Sequence, residues 1–167
     1  MDPLFTVDLT DPSAPVIMSE LKIPGFSQYL HPWADGLLLG LGQDADVNTG
    51  WTTGLKLSMF NTGNPHDVTE QHKLKLDYGW SAALYNHKAI LASESRNLIG
   101  FPADNGYAVY GYDPDSGFYQ KAFIEGVNGW DGKSRGLFVG DEVYIVMQKG
   151  CTVLDMNDFS VLAVVGY

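Results

Sequence analysis

Residues 25–46 read GFSQYLHPWADGLLLGLGQDAD, and this stretch decides how the rest of the chain is interpreted. The turn residues Asp35-Gly36 separate two runs that are rich in apolar and aromatic side chains. A short acidic segment, Asp44-Ala45-Asp46, follows the second run. The pattern predicts two β-strands around a tight turn, leading into an acidic loop.

The frame of this stretch occurs twice more along the chain. A leucine followed by a ring residue stands at Leu30, Leu84 and Leu137, at intervals of 54 and 53 residues. Each copy follows a glycine and an aromatic residue, and each leads into further short apolar runs separated by turn residues. Four short strands repeated about every 50 residues are typical of β-propeller blades.

We therefore predict an all-β fold with about three four-stranded blades and a leading half blade, which form part of a propeller rather than a closed ring. A β-sandwich is the main rival, but it does not require this periodicity. The third strand of each unit is expected to end at an equivalent polar residue: Asp8, Asn61, Asp113 or Asp155. The units predicted within a single domain, 1–167, are 1–24 for the half blade, then 25–77, 78–127 and 128–167.

Composition limits the partners that the chain is expected to bind. Ten Lys and Arg residues stand against twenty Asp and Glu residues, giving a formal charge of −10. Such a charge repels nucleic acid and anionic membranes, and no apolar run approaches the length of a membrane span. The single cysteine, Cys151, lies in an apolar run and is expected to pack as a small apolar side chain.

An incomplete ring has consequences for assembly. Its terminal blades expose apolar faces and strand edges, which favour association with other chains. We therefore expect a homo-oligomer that forms through the open blade edges. Because the first residues lack a signal-peptide pattern and run directly into a strand, we also expect the chain to be a fragment of a longer protein.

Six collinear segments carry a family resemblance: DPLFTVDLTDP at 2–12, LKIPGFS at 21–27, YLHP at 29–32, GQDAD at 42–46, GLKLS at 54–58 and LYNHKA at 84–89. Together they resemble the bacterial and archaeal secreted proteins with a C-terminal β-propeller domain, over the C-terminal part of that domain. The resemblance implies an extracellular or cell-surface location. It implies no particular reaction, so no catalytic residue is assigned.

Asp44, Asp46 and Asn48 form the candidate metal site. Oxygen ligands at alternate positions can converge on Ca²⁺, although the glycine that follows, Gly50, is one place late for an EF-hand loop. The alternative is an acidic loop whose carboxylates face water or cap backbone N–H groups.

Histidines and aromatic rings supply the remaining candidates. His31 is predicted in a first strand and His87 near the end of the matching strand, where a zinc pair or hydrogen bonds to the backbone are both conceivable. Rings at the connections between strands either wedge between blades or stack on a sugar or peptide. The predicted ligand-binding residues are His31, Trp33, Trp51, Trp80 and Trp130.

These features lead to two competing functions. The first is a non-enzymatic propeller module whose surface binds a protein or a glycan. The second is a hydrolase-like enzyme with its site at the channel mouth, assisted by calcium. A glycosidase needs two carboxylates that face each other across a sugar. The acid pairs Asp113/Asp115 and Asp141/Glu142 lie at predicted turns, and their alternative interpretation is as solvated turn residues.

Overall fold

The computed structural model describes residues 3–126 and 133–166. The chain folds as two compact units, Met1–Asp77 and Tyr78–Tyr167. The described residues form fourteen β-strands and two 3₁₀ helices of three residues each. No helix within these ranges has the length and apolar character needed to cross a membrane.

The first unit contains a two-stranded and a four-stranded antiparallel sheet. The leading hairpin consists of β1 (Leu4–Asp8) and β2 (Val16–Leu21). The first sheet has the order β3-β4-β5-β6. Its strands are β3 (Phe26–Ala34), β4 (Leu37–Ala45), β5 (Thr52–Asn61) and β6 (Thr69–Lys75).

The second unit contains two four-stranded antiparallel sheets, again with sequential strands as neighbours. The strands of the second sheet are β7 (Leu91–Ser93), β8 (Leu98–Ala103), β9 (Gly106–Asp113) and β10 (Gly117–Glu125). The strands of the third sheet are β11 (Arg135–Val139), β12 (Glu142–Met147), β13 (Gly150–Asp155) and β14 (Val161–Gly166). The predicted all-β fold and its four-stranded units are confirmed.

One polar position repeats in all four sheets and forms the same hydrogen bond to the backbone in each. The last residues of β1, β5, β9 and β13 are Asp8, Asn61, Asp113 and Asp155. In each case the side-chain Oδ1 accepts the backbone N–H two residues further on, at 2.7–3.0 Å. This is the Asx turn, which Asp and Asn form because their short side chains reach their own backbone. The repeated residue therefore starts the turn into the next strand.

The core of the second unit lies between its two sheets. Leu98 and Val109 of the second sheet pack with Val143, Ile145 and Leu154 of the third sheet. Strand alternation places these third-sheet side chains on one face.

Tyr107 completes this core and explains two of its glycines. The ring is fully buried, and a Cβ at Gly136 would lie 2.0 Å from the Tyr107 hydroxyl oxygen. A Cβ at Gly100 would lie 2.9 Å from the same ring. Only glycine leaves room for the tyrosine at both positions, and burial raises the pKa of Tyr107.

The prediction for the first strand of the second copy is wrong. Residues 82–84 and 87–89 form 3₁₀ helices, so His87 begins a helical turn, and the strand itself is only Leu91–Ser93. Local capping explains the difference. The Ser81 and Asn86 side chains each accept the backbone N–H two residues on, which stabilises a turn at the place where the other copies extend a strand.

Candidate binding surfaces

The acidic loop predicted as a calcium site is held by its own hydrogen bonds. Asp46 follows β4, and its Oδ1 accepts the backbone N–H groups of Thr49 at 2.8 Å and Asn48 at 3.0 Å. These bonds, led by that from Thr49, hold the pKa of Asp46 below its ordinary value of 3.8. Asp46 therefore caps a tight turn, in which Asn48 takes part through its backbone.

Asp44 has a different role from Asp46. It was expected in the loop, but it lies within β4 and pairs with Gly54 of β5. Its buried carboxylate forms an ion pair with Lys73 on β6, with an N–O distance of 3.2 Å. Among the described residues, no group of three or more His, Cys, Asp or Glu side chains is arranged to hold a metal ion. Calcium binding stays a prediction.

A buried ionic network on the first sheet was not foreseen from the sequence. Lys56 on β5 is fully buried, and its Nζ donates to Glu70 Oε1 on β6 and to the backbone oxygen of Pro24, both at 3.1 Å. Ser58 donates its hydroxyl to the same Glu70 oxygen at 2.7 Å. The available signal was a lysine inside an apolar strand, at Leu55-Lys56-Leu57, since a charge there requires a buried partner.

The two candidate histidines lie in different units. His31 is on β3, as predicted, and its Nδ1 is 3.1 Å from the hydroxyl oxygen of Tyr29, whose ring stacks on it. Burial raises the pKa of Tyr29. His87 begins the second 3₁₀ helix. A zinc pair stays a prediction.

The candidate tryptophans differ sharply in exposure. Trp33 is buried within β3, and Trp80 is half-buried and stacks on Tyr85 with ring centroids 6.2 Å apart. Trp51, at the end of the acidic loop, is 77% exposed. Trp130 lies outside the described residues. Of the three tryptophans in the described ranges, Trp51 is the one that presents its ring to solvent.

Three of the four carboxylates in the acid pairs considered for a hydrolase, those of Asp113, Asp141 and Glu142, have structural partners. Asp113 caps its turn by accepting the backbone N–H groups of Asp115 and Ser116. Asp141 forms an ion pair with Arg96, with an N–O distance of 3.0 Å. Glu142 accepts the hydroxyl of Tyr144.

The leading hairpin exposes an apolar face. Phe5, Val7 and Ile17 are 46%, 45% and 63% exposed, and Val7 pairs with Ile17 across the hairpin. The other face of β1 lies towards the first sheet, because Thr6 donates its hydroxyl to the backbone oxygen of Pro65 at 2.6 Å. The hairpin is thus covered on one face and open on the other.

Equivalent positions in the first sheet show what the open face lacks. If Asp8 is aligned with Asn61, then Val7 corresponds to Phe60 and Phe5 to Ser58. Phe60 is 2% exposed and Ser58 is fully buried. The same positions in the third sheet, Leu154 and Thr152, are also buried. A covering layer exists at these positions in both sheets and is missing at the hairpin.

The third sheet has a complementary open face. One face of the third sheet packs on the second sheet through Val143, Ile145 and Leu154. The alternate residues of its strands therefore face away from the core of the second unit. Leu137 and Val165 belong to this second set and are exposed. Every residue of β14, VLAVVG, is exposed.

Comparison with known proteins agrees with this architecture. The family described as "Beta propeller domain" matches residues 1–159. The uncharacterized protein MJ1554 of Methanocaldococcus jannaschii is 32% identical over 164 residues, covering 96% of this chain and 24% of that protein. An uncharacterized protein of Archaeoglobus fulgidus is 32% identical over 159 residues, covering 95% of this chain and 23% of that protein.

The chain thus spans about a quarter of the length of these two archaeal relatives. The bacterial and secreted character implied by the resemblance stays a prediction. The repeated four-stranded sheets, the shared Asx turns and the match over residues 1–159 lead to one conclusion: the chain belongs to the β-propeller domain family.

Proposed function

We propose that the chain is a non-enzymatic propeller module that binds protein through the apolar face of its leading hairpin. The supporting observation is that Phe5 and Val7 are exposed at positions whose counterparts in the first and third sheets are buried, and that the exposed Ile17 pairs with Val7 on the same hairpin. Exposed apolar side chains grouped on one face are typical of interaction sites rather than of ordinary protein surface.

A second copy of this chain is the partner that we propose first. The Val7 face of the hairpin is exposed, whereas the corresponding face of the first sheet is covered. The third sheet is exposed on its other face, the one that carries Leu137 and Val165 and points away from its core. Contact between the hairpin face of one copy and the third-sheet face of another is heterologous, because two different surfaces meet. Heterologous contacts generate a closed ring when the rotation from one copy to the next returns to the first copy.

Sedimentation of single-residue variants tests this proposal. We expect the parent chain to associate at micromolar concentration, and Val7→Lys and Val165→Lys each to weaken association because a charge enters an apolar contact. Val47→Lys, at an exposed position in the acidic loop, is the matched control and should associate like the parent. Mixing the two interface variants should recover part of the association, since one intact interface remains. A parent chain that stays monomeric throughout would refute self-association.

Glycan binding is a second candidate, and Trp51 is the observation that favours it. An exposed indole on a loop can stack on the face of a sugar ring. Tryptophan fluorescence titrated with a glycan panel should shift for a ligand, and Trp51→Ala should remove the shift. Trp80→Phe is the control, because Trp80 already stacks on Tyr85.

The remaining expectations are also proposals. The hydrolase alternative would have to use carboxylates, such as Asp113 and Asp141, that already hold a turn and an ion pair. Calcium at Asp44, Asp46 and Asn48 is checked by melting the protein with and without millimolar Ca²⁺. The extracellular or cell-surface location is supported by the family resemblance, and protease treatment of whole cells checks it.

A further inference from the structure

The segment before β7 departs from the repeat. The first and third sheets begin with the extended strands β3 and β11, whereas residues 82–84 and 87–89 form two 3₁₀ helices ahead of the short strand β7. The side chains that anchor this segment are buried: Ala82, Ala83, Leu84 and Ala89. Departures from a rule that the rest of a chain obeys are expected at functional sites. We therefore searched this segment for a ligand site.

Two aromatic rings of this segment stack on each other. Trp80 is half-buried and Tyr85 is 71% exposed, and their ring centroids are 6.2 Å apart with an angle of 27° between the ring planes. The Tyr85 ring thus rests on the indole and presents the rest of its surface to solvent. Rings of this kind provide a large contact area at a low cost in side-chain entropy.

Hydrogen bonds fix the backbone that carries these rings. The two carboxylate oxygens of Asp104 accept the backbone N–H groups of Gly79 and Trp80, each at 3.1 Å. The N–H of Asp104 in turn donates to the Trp80 backbone oxygen at 3.1 Å, and the N–H of Tyr85 donates to the Ala82 oxygen at 3.2 Å. A ligand that binds to these rings therefore has little backbone to order, which lowers the entropy cost of binding.

Lys88 adds an exposed positive charge to the same segment. Residues 78–93 contain no Asp or Glu, although the chain has twenty such residues. The backbone N–H of Lys88 donates to Asn86 Oδ1 at 3.1 Å, and its side chain is exposed. Within the described ranges, no carboxylate lies at ion-pair distance from the Lys88 ammonium. This cation can therefore pair with an anionic group of a ligand.

A stacking ring and a nearby cation together define the chemistry of a ligand. Tyr85 and Lys88 are three residues apart, so their Cα atoms lie within about 11 Å of each other. A sugar can stack the C–H face of its ring on Tyr85 while its own carboxylate, or that of the next sugar, pairs with the Lys88 ammonium. A polyanion is disfavoured because the chain carries a formal charge of −10.

We propose that Trp80, Tyr85 and Lys88 form a binding site for a glycan that ends in an acidic sugar, such as a uronic acid. Tyr85 stacks on the sugar ring, Trp80 supports the Tyr85 ring from its other side, and Lys88 pairs with the carboxylate. The site lies in the second unit, whereas the hairpin face and Trp51 lie in the first. It is thus additional to the binding functions proposed above, and its test has an independent outcome.

Two matched sugars test the site: methyl β-glucuronide and methyl β-glucoside, which carry a carboxylate and a hydroxymethyl group at the same position. In an NMR titration of the isotope-labelled chain, both should shift the amides of Tyr85 and Lys88, with dissociation constants in the millimolar range. The glucuronide should bind about fivefold more tightly, the ratio expected for one exposed ion pair. Added salt should reduce this ratio, because it screens exposed charges.

Variants at the two exposed positions separate stacking from charge. Tyr85→Ala should abolish binding of both sugars, whereas Tyr85→Phe should retain it because the ring remains. Lys88→Gln should lower the affinity for the glucuronide to that for the glucoside and leave the glucoside unchanged. Lys149→Gln, at another exposed lysine, is the matched control and should bind both sugars like the parent chain.

Three results would overturn the inference. The first is the absence of a shift with either sugar at millimolar concentration, and the second is equal affinity of the parent chain for the two sugars. The third is a shift of the Tyr85 and Lys88 amides by an acetylated aspartate peptide but not by the glucuronide, which would assign the site to acidic peptides.

Discussion

Removing Glu70 should destabilise the first unit strongly, because its partner Lys56 is fully buried. The side chains are 0% exposed for Lys56 and 15% for Glu70, and the N–O distance is 3.1 Å. At an effective dielectric constant of about 20, this separation corresponds to roughly 5 kcal/mol of Coulomb attraction. After Glu70→Ala, the Lys56 ammonium keeps the Pro24 backbone oxygen as its acceptor among the described residues, and the Ser58 hydroxyl loses the Glu70 acceptor.

Breaking a buried ion pair costs about 3–5 kcal/mol, whereas replacing both partners with apolar residues is often close to neutral. Since Glu70 is partly exposed, we expect about 3 kcal/mol for Glu70→Ala. The double variant Lys56→Met with Glu70→Leu should lose about 1 kcal/mol or less, because no charge remains to be buried.

Urea denaturation followed by tryptophan fluorescence measures these differences, because Trp33 is buried in the same sheet and reports its unfolding. Glu20→Ala is the matched control: its ion pair with Lys22 is shorter, at 2.6 Å, but both side chains are exposed. That control should lose less than about 1 kcal/mol. If Glu70→Ala costs no more than Glu20→Ala, the Lys56 ammonium reaches water and the buried network is refuted.

Three further outcomes are expected. Gly42→Ala should cost about 1–3 kcal/mol or more in urea denaturation, because a Cβ would lie 1.9 Å from the backbone oxygen of Phe26. Gly79→Ala should cost little, because its Cβ would make an ordinary contact of 3.8 Å with Asp104 Oδ1. Ile145→Ala should cost about 2–5 kcal/mol and Ile145→Val about 0.5–1.5 kcal/mol, since the side chain is fully buried; equal losses would contradict this. The pKa of Asp46 is lowered, so its contribution to stability is present above pH 3.8 and is lost as the pH falls below that value. The fall in melting temperature on acidification should therefore be smaller for Asp46→Asn than for the parent chain.

The repeat made most of the sheet structure predictable. Strand alternation and turn residues recur at a fixed period, so each copy supports the interpretation of the others. The Asx position illustrates this, because Asp8, Asn61, Asp113 and Asp155 were identified by spacing alone and all start a turn. The prediction failed where capping overrode the repeat: Ser81 and Asn86 stabilise 3₁₀ turns in place of an extended strand.

The candidate sites were less predictable, because exposure and pairing depend on residues that are distant in sequence. Trp33 and Trp51 look alike as residue types, but one is buried in a strand and the other is exposed on a loop. Asp44 and Asp46 look like a ligand pair, yet a lysine 29 residues away pairs with the first and a turn engages the second.

The sequence by itself determined the all-β class, the four-stranded unit and the turn position that ends each third strand, since these follow from local periodicity and turn chemistry. Only the tertiary structure decided which apolar faces are covered. Phe60 and Val7 occupy equivalent positions, but Phe60 is 2% exposed and Val7 is 45% exposed. Local sequence does not decide this difference, because sheet pairing and packing involve strands far apart in the chain.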